Sequence, residues 1–323
     1  MGMTIMAEEF VITNVWQAHE LEDANLSDLR HGLVKPFPTP DLETMPKVSD
    51  DRQLRAVVRI GKEYGYFEKV RWLYWSAQMN VQLFFSLYQM ESDGVLEVPS
   101  DPLQRYLFLV KGDALFHSIL SAYKRFVDEV DRILLKNAGG SGDEVYEQWK
   151  ELTKRFYDTD FSYALLYGLR NCVEHDFWTI SLVNYDSEKG TAGFAINIDN
   201  DLFNLTRLKG NVKDRLREWA IKRRAHDETA WLSVGKCINS YQVEMTTLYL
   251  LWLDYCRKRL ISVLSEYEEE LQGIPGNVLI WSGAAAGKHS PNSQPRVYHV
   301  IGNECIEELD AEFERAYSLL HID

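Results

Sequence analysis

Residues 163–178 read YALLYGLRNCVEHDFW, with Arg170, Asn171 and His175 at the centre in the spacing R-N-x3-H. Asp160 precedes the stretch as an N-cap, a side chain that accepts from otherwise orphaned backbone N–H groups, so the motif sits on a helix. From Phe177 the pattern changes: Phe177-Trp-Thr-Ile-Ser-Leu-Val-Asn-Tyr is rich in strand formers. The stretch therefore carries a helix-to-strand switch. It also joins a fixed cation, a polar amide and an imidazole that titrates near neutrality. No other part of the chain combines these three so tightly.

Working outward, helices dominate. Asp50 and Asp51 can cap a helix from Arg52 to about Met90, with Val57, Ile60, Phe67, Val70, Leu73, Ala77, Val81, Phe84 and Leu87 at close to helical period. Gly61 and Gly65 are points where it would break. Trp72, Tyr74 and Trp75 mark it as a heavy packing element. Asp101 followed by Pro102 opens a second helix to about Asn137, with a stripe through Leu109, Leu115, Ile119, Tyr123, Phe126, Val130 and Ile133. A third runs from Asp143 and Glu144 to about Tyr157. Beyond the motif, Thr191–Ile198 completes a β-hairpin with the Phe177 segment across the turn Asp186-Ser-Glu-Lys-Gly. A basic helix over 212–224 follows, with Val212, Leu216 and Trp219 facing inward. A long helix then spans about Glu228–Leu271, with Ile238, Tyr241, Met245, Leu248, Trp252, Tyr255 and Ile261 in its interior. Asn277–Trp281 and Arg296–Ile301 read as short strands, Phe10–Thr13 as another, and Cys305–Leu320 as a last amphipathic helix. The expected fold is mainly α, an up-and-down helical bundle with an inserted β-hairpin and short terminal strands. Residues 1–50, broken by Pro36, Pro38, Pro40 and Pro46, form an extended acidic arm, and 51–323 a single helical domain.

Charge and cysteine use narrow the function. The chain has 323 residues and a net charge of −14, which argues against a surface that binds nucleic acid throughout. Charge is unevenly spread, however. Residues 207–224 hold eight bases and two acids, while 1–50 hold nine acids and three bases and 301–323 seven acids and one base. Cys172, Cys237, Cys256 and Cys305 have no CxxC spacing, so they form neither a disulfide framework nor a zinc site. Buried thiols in a reducing compartment are expected. No apolar run is long enough for a membrane span, and Glu8 and Glu9 interrupt any signal-peptide core, so a cytoplasmic protein without a membrane partner is expected.

Three rival constellations are weaker. Gly283-Ala-Ala-Ala-Gly-Lys-His has three residues between its glycines where a phosphate-binding loop has four, and His289 stands where that loop needs Ser or Thr. The eight histidines are dispersed, and His117 reads as a core histidine, so neither a metal nor a cofactor is expected. Glu266–Glu270 is a solvated charge run. With 19 Arg and 8 His, an Arg-x4-His spacing alone is near chance; the Asn directly after Arg170 lifts it above that.

The motif Leu169-Arg-Asn-Cys-Val-Glu-His, on a helix of an all-α setting and followed by extended chain, resembles the HEPN family, whose hallmark is R-x(4–6)-H with a polar residue after the arginine. The resemblance centres on 161–185, with a looser HEPN-like core over about 101–272. It implies metal-independent cleavage of RNA by a toxin or antiviral-defence effector. His175 would then be general acid or base, Arg170 would hold the phosphate, and Asn171 would orient the histidine. On one helix Arg170 and His175 lie about 140° apart, so one copy does not aim both at one phosphate. The resemblance implies a homodimer with a composite site, and an antitoxin or regulatory protein as a further partner. Lys213, Arg217, Arg223 and Arg224 of the basic helix are the expected RNA contacts. Two other readings stand beside this one: a non-catalytic helical dimerisation module, and a partner of a nucleotidyltransferase.

Overall fold

The structure, a computed structural model, describes residues 10–11, 47–48, 51–87, 101–137, 144–173, 180–186, 191–197, 208, 210–225, 231–270, 278–280, 296–298 and 304–320, with backbone only at parts of these. Among them the protein is mainly α. Seven helices occur: α1 (Asp51–Ser86), α2 (Pro102–Asn137), α3 (Glu144–Thr159), α4 (Phe161–Val173), α5 (Gly210–Arg224), α6 (Val234–Glu266) and α7 (Glu304–Ser318). The strands are β1 (Phe10–Val11), β2 (Lys47–Val48), β3 (Ser181–Asp186), β4 (Thr191–Asn197), β5 (Trp231–Ser233), β6 (Val278–Ile280) and β7 (Arg296–Tyr298). All pairings are antiparallel: β1 with β2, β3-β4-β5 in one sheet, and β6 with β7. The proline-rich arm at 36–46, the loops at 92–95, 139–142 and 273–276, and the glycine-rich segment 283–289 lie outside the described residues. No described helix is long and apolar enough to cross a membrane.

The chain divides into two compact units, Met1–Glu68 with Leu253–Glu314 and Lys69–Trp252 with Arg315–Asp323. In the first, buried Glu63 is held by Arg259 at 2.9 Å and Arg59 at 3.6 Å, so a costly buried charge is met by two cations. Tyr64 Oη donates to Glu308, and Arg257 bonds Asp310 at 2.6 Å, which ties α7 to α1 and α6.

The second unit holds the motif helix. Its centre is aromatic: Tyr74 stacks on Tyr249 with ring centroids 3.8 Å apart, and Phe126 meets both rings edge-on. The Tyr74 hydroxyl bonds Thr246 at 2.8 Å and accepts from Gln78 at 2.7 Å, and Gln242 donates on to Gln78. That chain satisfies polar groups which would otherwise be orphaned in the core. The hairpin is anchored by Phe194 of β4, which packs on Phe84 of α1 and stacks on Phe108 of α2. Gly112 makes room for it, since a Cβ there would lie 2.3 Å from the Phe194 ring.

The helices follow the apolar spacing. Ile60, Phe67, Val70, Leu73, Ala77, Val81 and Phe84 are all buried in α1, with Leu87 buried just past its end, as are Ile119, Tyr123, Phe126, Val130 and Ile133 in α2. Asp101 caps α2 through a bond from the Gln104 N–H at 2.8 Å. Several local expectations need correction. Gly61 and Gly65 do not break α1, because the flanking buried residues outweigh a helical glycine's cost of about 1 kcal/mol. Residues 231–233 are a strand and not the start of α6, because Trp231–Ser233 completes the sheet by pairing with Ala195–Asn197. Ile261 is exposed; Leu260 and Val263 take the inward positions. Trp72 is 66% exposed, and only Tyr74 of the three aromatics is fully buried.

Candidate functional site

The motif helix α4 is fixed at its start and along one face. Asp160 receives the Tyr163 N–H and also bonds the Ser240 hydroxyl at 2.9 Å, which links the α4 cap to α6. Tyr163, Ala164, Leu165, Leu166 and Leu169 are buried, so the helix cannot rotate without exposing its whole apolar face. Gly168 lets α4 approach Leu208 closely; a Cβ there would stand 2.7 Å from its Cδ1.

Arg170 leaves this face at the last turns of α4. It is half-buried, and its guanidinium lies over the Tyr167 ring, 5.4 Å from the centroid. Its Nε is shielded from solvent and has no hydrogen-bond partner among the described residues. Among the described residues the cation therefore meets an aromatic face and no carboxylate. Its field reaches Tyr241. Burial raises that phenol's pKa well above the usual range and Tyr163 raises it further, while Arg170 pulls it down. Asn171 lies on α4, but its side chain, and the whole of Glu174 and His175, are outside the described residues.

The basic helix α5 docks on the α3–α4 corner through a residue outside the expected RNA set. Arg215 donates to the Tyr157 carbonyl at 3.0 Å and lies over the Phe161 ring at 5.6 Å. Val212, Leu216 and Ala220 are buried, with Trp219 half-buried. Arg217 pairs with Asp214 at 2.7 Å on the exposed surface, and Arg223 lies over Trp219 at 5.4 Å. Lys213 is half-buried and Arg224 exposed. Leu208 sits at Gly168, toward the end of α4, whereas Arg215 sits at Phe161, its beginning. The two helices therefore run in opposite directions. At the helical rise, Arg224 lies about 13 Å beyond Arg215, and Arg170 about 13 Å beyond Phe161 the other way. Arg223 and Arg224 are thus not brought to Arg170; they stand toward the opposite end of the α4–α5 pair.

What the motif helix does line, through Tyr163 and the Tyr167 ring under Arg170, is a cleft of 450 Å³ between α2, α3 and α4, absent from the sequence reading. Tyr157, Tyr163 and Tyr167 give it aromatic walls; Asp128 and Asp131 line the α2 side, and Lys150 and Lys154 the α3 side. Lys150 pairs with Asp131 at 2.8 Å and Lys124 with Asp128. Lys154 has no carboxylate partner among the described residues. Tyr163 is 1% exposed, and its hydroxyl has no hydrogen-bond partner among the described residues. The tyrosines at i and i+4 on the motif helix were the available sequence signal.

Other reactive groups have structural surroundings. Cys237 and Cys256 are free and buried, and burial pushes the Cys237 thiol up to about 12, far from a reactive thiolate. His117 is half-buried beside Asp113, Nε2 to Oδ2 3.5 Å; burial lowers its pKa and the carboxylate opposes that only in part. Among the described residues no group of three His, Cys, Asp or Glu side chains could hold a metal ion. No family model matches the chain, and no curated protein and no solved structure does either.

Proposed function

We propose that the protein is a metal-independent endoribonuclease of the HEPN type, acting as a toxin or defence effector with a composite site between two copies. The observation that carries this reading is Arg170. It stands at the end of a firmly packed helix, with its guanidinium on a tyrosine face and no carboxylate to neutralise it among the described residues. A structural arginine in such a place normally pairs with an acid; a cation that meets none among the described residues and lies along an aromatic face suits a phosphate. Asn171 follows it directly, and His175 lies two residues past the described end of α4. The helix-then-hairpin order agrees with the resemblance.

In the proposed chemistry a His175 imidazole removes the proton from a ribose 2′-hydroxyl. The O2′–P bond forms and the P–O5′ bond breaks, leaving a 2′,3′-cyclic phosphate. The His175 of a second copy gives a proton to the departing 5′-oxygen. Arg170 binds the non-bridging oxygens as charge builds on them, and Asn171 orients the imidazole. With one imidazole as base and another as acid, and one His175 per chain, the reading takes two copies.

The test uses purified protein with total RNA and EDTA present. Wild type is expected to leave cyclic-phosphate ends, with Arg170→Ala and His175→Ala each reduced about 100-fold or more. Equal cleavage by wild type and His175→Ala would sink the proposal, as would loss of cleavage in EDTA.

A further inference from the structure

We infer that the cleft between α2, α3 and α4 is a base-reading subsite, which seats the nucleotide next to the phosphate held by Arg170 and favours bases carrying an amino group. It rests on the proposed function in taking RNA as the ligand.

Tyr167 belongs to both places: one neighbour of its ring is the Arg170 guanidinium, and the ring itself lines the cleft. A phosphate on Arg170 therefore has its own nucleotide at the mouth of the cleft, without any rearrangement of α4. Lys154, at the same cleft and without a carboxylate partner among the described residues, is available for a second phosphate oxygen. The volume of 450 Å³ falls within the range that small-molecule sites occupy, about 300–1,000 Å³. Single-stranded RNA is commonly read by unstacked bases lying on aromatic rings, and Tyr157 supplies such a ring, edge-on at 5.8 Å to Tyr167, which itself carries the Arg170 guanidinium and the stacked Tyr163 ring.

The polar groups decide which base. Asp128 and Asp131 each spend an oxygen on a lysine, yet an ionised carboxylate has about four acceptor sites, so both still accept. Amino groups of adenine, cytosine and guanine donate to them; uracil has no amino group and offers only its single N3–H, flanked by two carbonyl oxygens that the carboxylates repel. The Tyr163 hydroxyl is the complementary feature. Its residue lines the cleft, the hydroxyl is buried without a partner among the described residues, and burial keeps it protonated and a donor by raising its pKa. It suits a ring nitrogen or carbonyl next to the amino group. A buried hydroxyl without an acceptor is destabilising, and a ligand acceptor would relieve that.

The experiment measures fluorescence anisotropy of end-labelled pentaribonucleotides of A, C and U on the His175→Ala protein, which binds without turnover. The A and C oligomers are expected to bind at least about fivefold tighter than the U oligomer, consistent with one stacked, hydrogen-bonded base. Thr153→Trp, which fills the cleft, should erase that preference. Tyr163→Phe, which removes one oxygen, should reduce it with the melting temperature preserved. Lys154→Glu should weaken all three oligomers alike. Equal binding of the three oligomers overturns the inference, and so does an undiminished preference in both cleft variants. Binding of free AMP or CMP as tight as that of the oligomers also overturns it, because the cleft would then be a mononucleotide site. If the preference is present and the wild type cleaves no RNA, the subsite stands and the nuclease reading falls.

Discussion

At the scale of single residues, the α4 cap region is electrostatically poised. Glu244 of α6 has its pKa pushed up to about 7, first by burial and then by Asp160, with Arg155 opposing. A free glutamate titrates near 4.3, so between roughly pH 4.3 and 7 the folded protein binds the proton that the unfolded chain has lost. Stability linked to this group is therefore greatest below the lower value and falls as pH rises through about 7. Glu244→Gln should flatten the decline of melting temperature between pH 5 and 8, measured by thermal denaturation at constant ionic strength. The same slope in both proteins would show that Glu244 is not the group responsible. The position was invisible in the sequence, because Glu244 and Asp160 are 84 residues apart and meet only when α6 packs beside the start of α4.

Among the elements, two helical glycines make opposite predictions. Gly65 of α1 is exposed, and a Cβ there would meet nothing within 4 Å. Gly65→Ala should raise stability by about 0.5–1 kcal/mol through helix propensity and reduced freedom of the unfolded chain. Gly112 of α2 lies under the Phe194 ring, and Gly112→Ala should cost about 1–3 kcal/mol by pushing β4 off the helices. Urea denaturation of both variants checks the pair; a stabilised Gly112→Ala protein would mean that the hairpin is not held as described. Neither sign could be read from glycine alone. The sequence marked Gly65 as a break, yet the buried row from Ile60 to Leu87 carries the helix through it. Likewise, Trp231–Ser233 falls inside a long proline-free span, and only its pairing with β4 makes it a strand.

For the whole molecule, the proposed chemistry demands two copies. Light scattering at micromolar concentration should give twice the chain mass of 37.5 kDa. A strictly monomeric protein with full activity would remove the composite site. The opposed directions of α4 and α5 add a second expectation. Arg223 and Arg224 stand toward the far end from Arg170, so they would hold strand well away from the cut. Arg223→Glu with Arg224→Glu should weaken RNA binding and lower the salt slope by about 0.7 per lost phosphate contact, while leaving the products of cleavage unchanged. An unaltered salt slope would make the basic helix a solvated face that offsets the acidic remainder of the chain.

The sequence by itself determined the helices and the hairpin, because apolar period, Asp101 and Asp160 caps, and strand-forming runs are local properties that neighbours in the chain enforce. It also singled out Arg170 as the cation worth following. Only the tertiary structure decided what surrounds that cation. Tyr167 is its neighbour on the same helix, but the cleft that this ring lines, the aspartates on the cleft's α2 side and the direction of the basic helix come from four helices separated in sequence and packed by their buried faces. Side-chain type is written residue by residue; which side chains share a volume depends on long-range packing, and that is where this site acquires its chemistry.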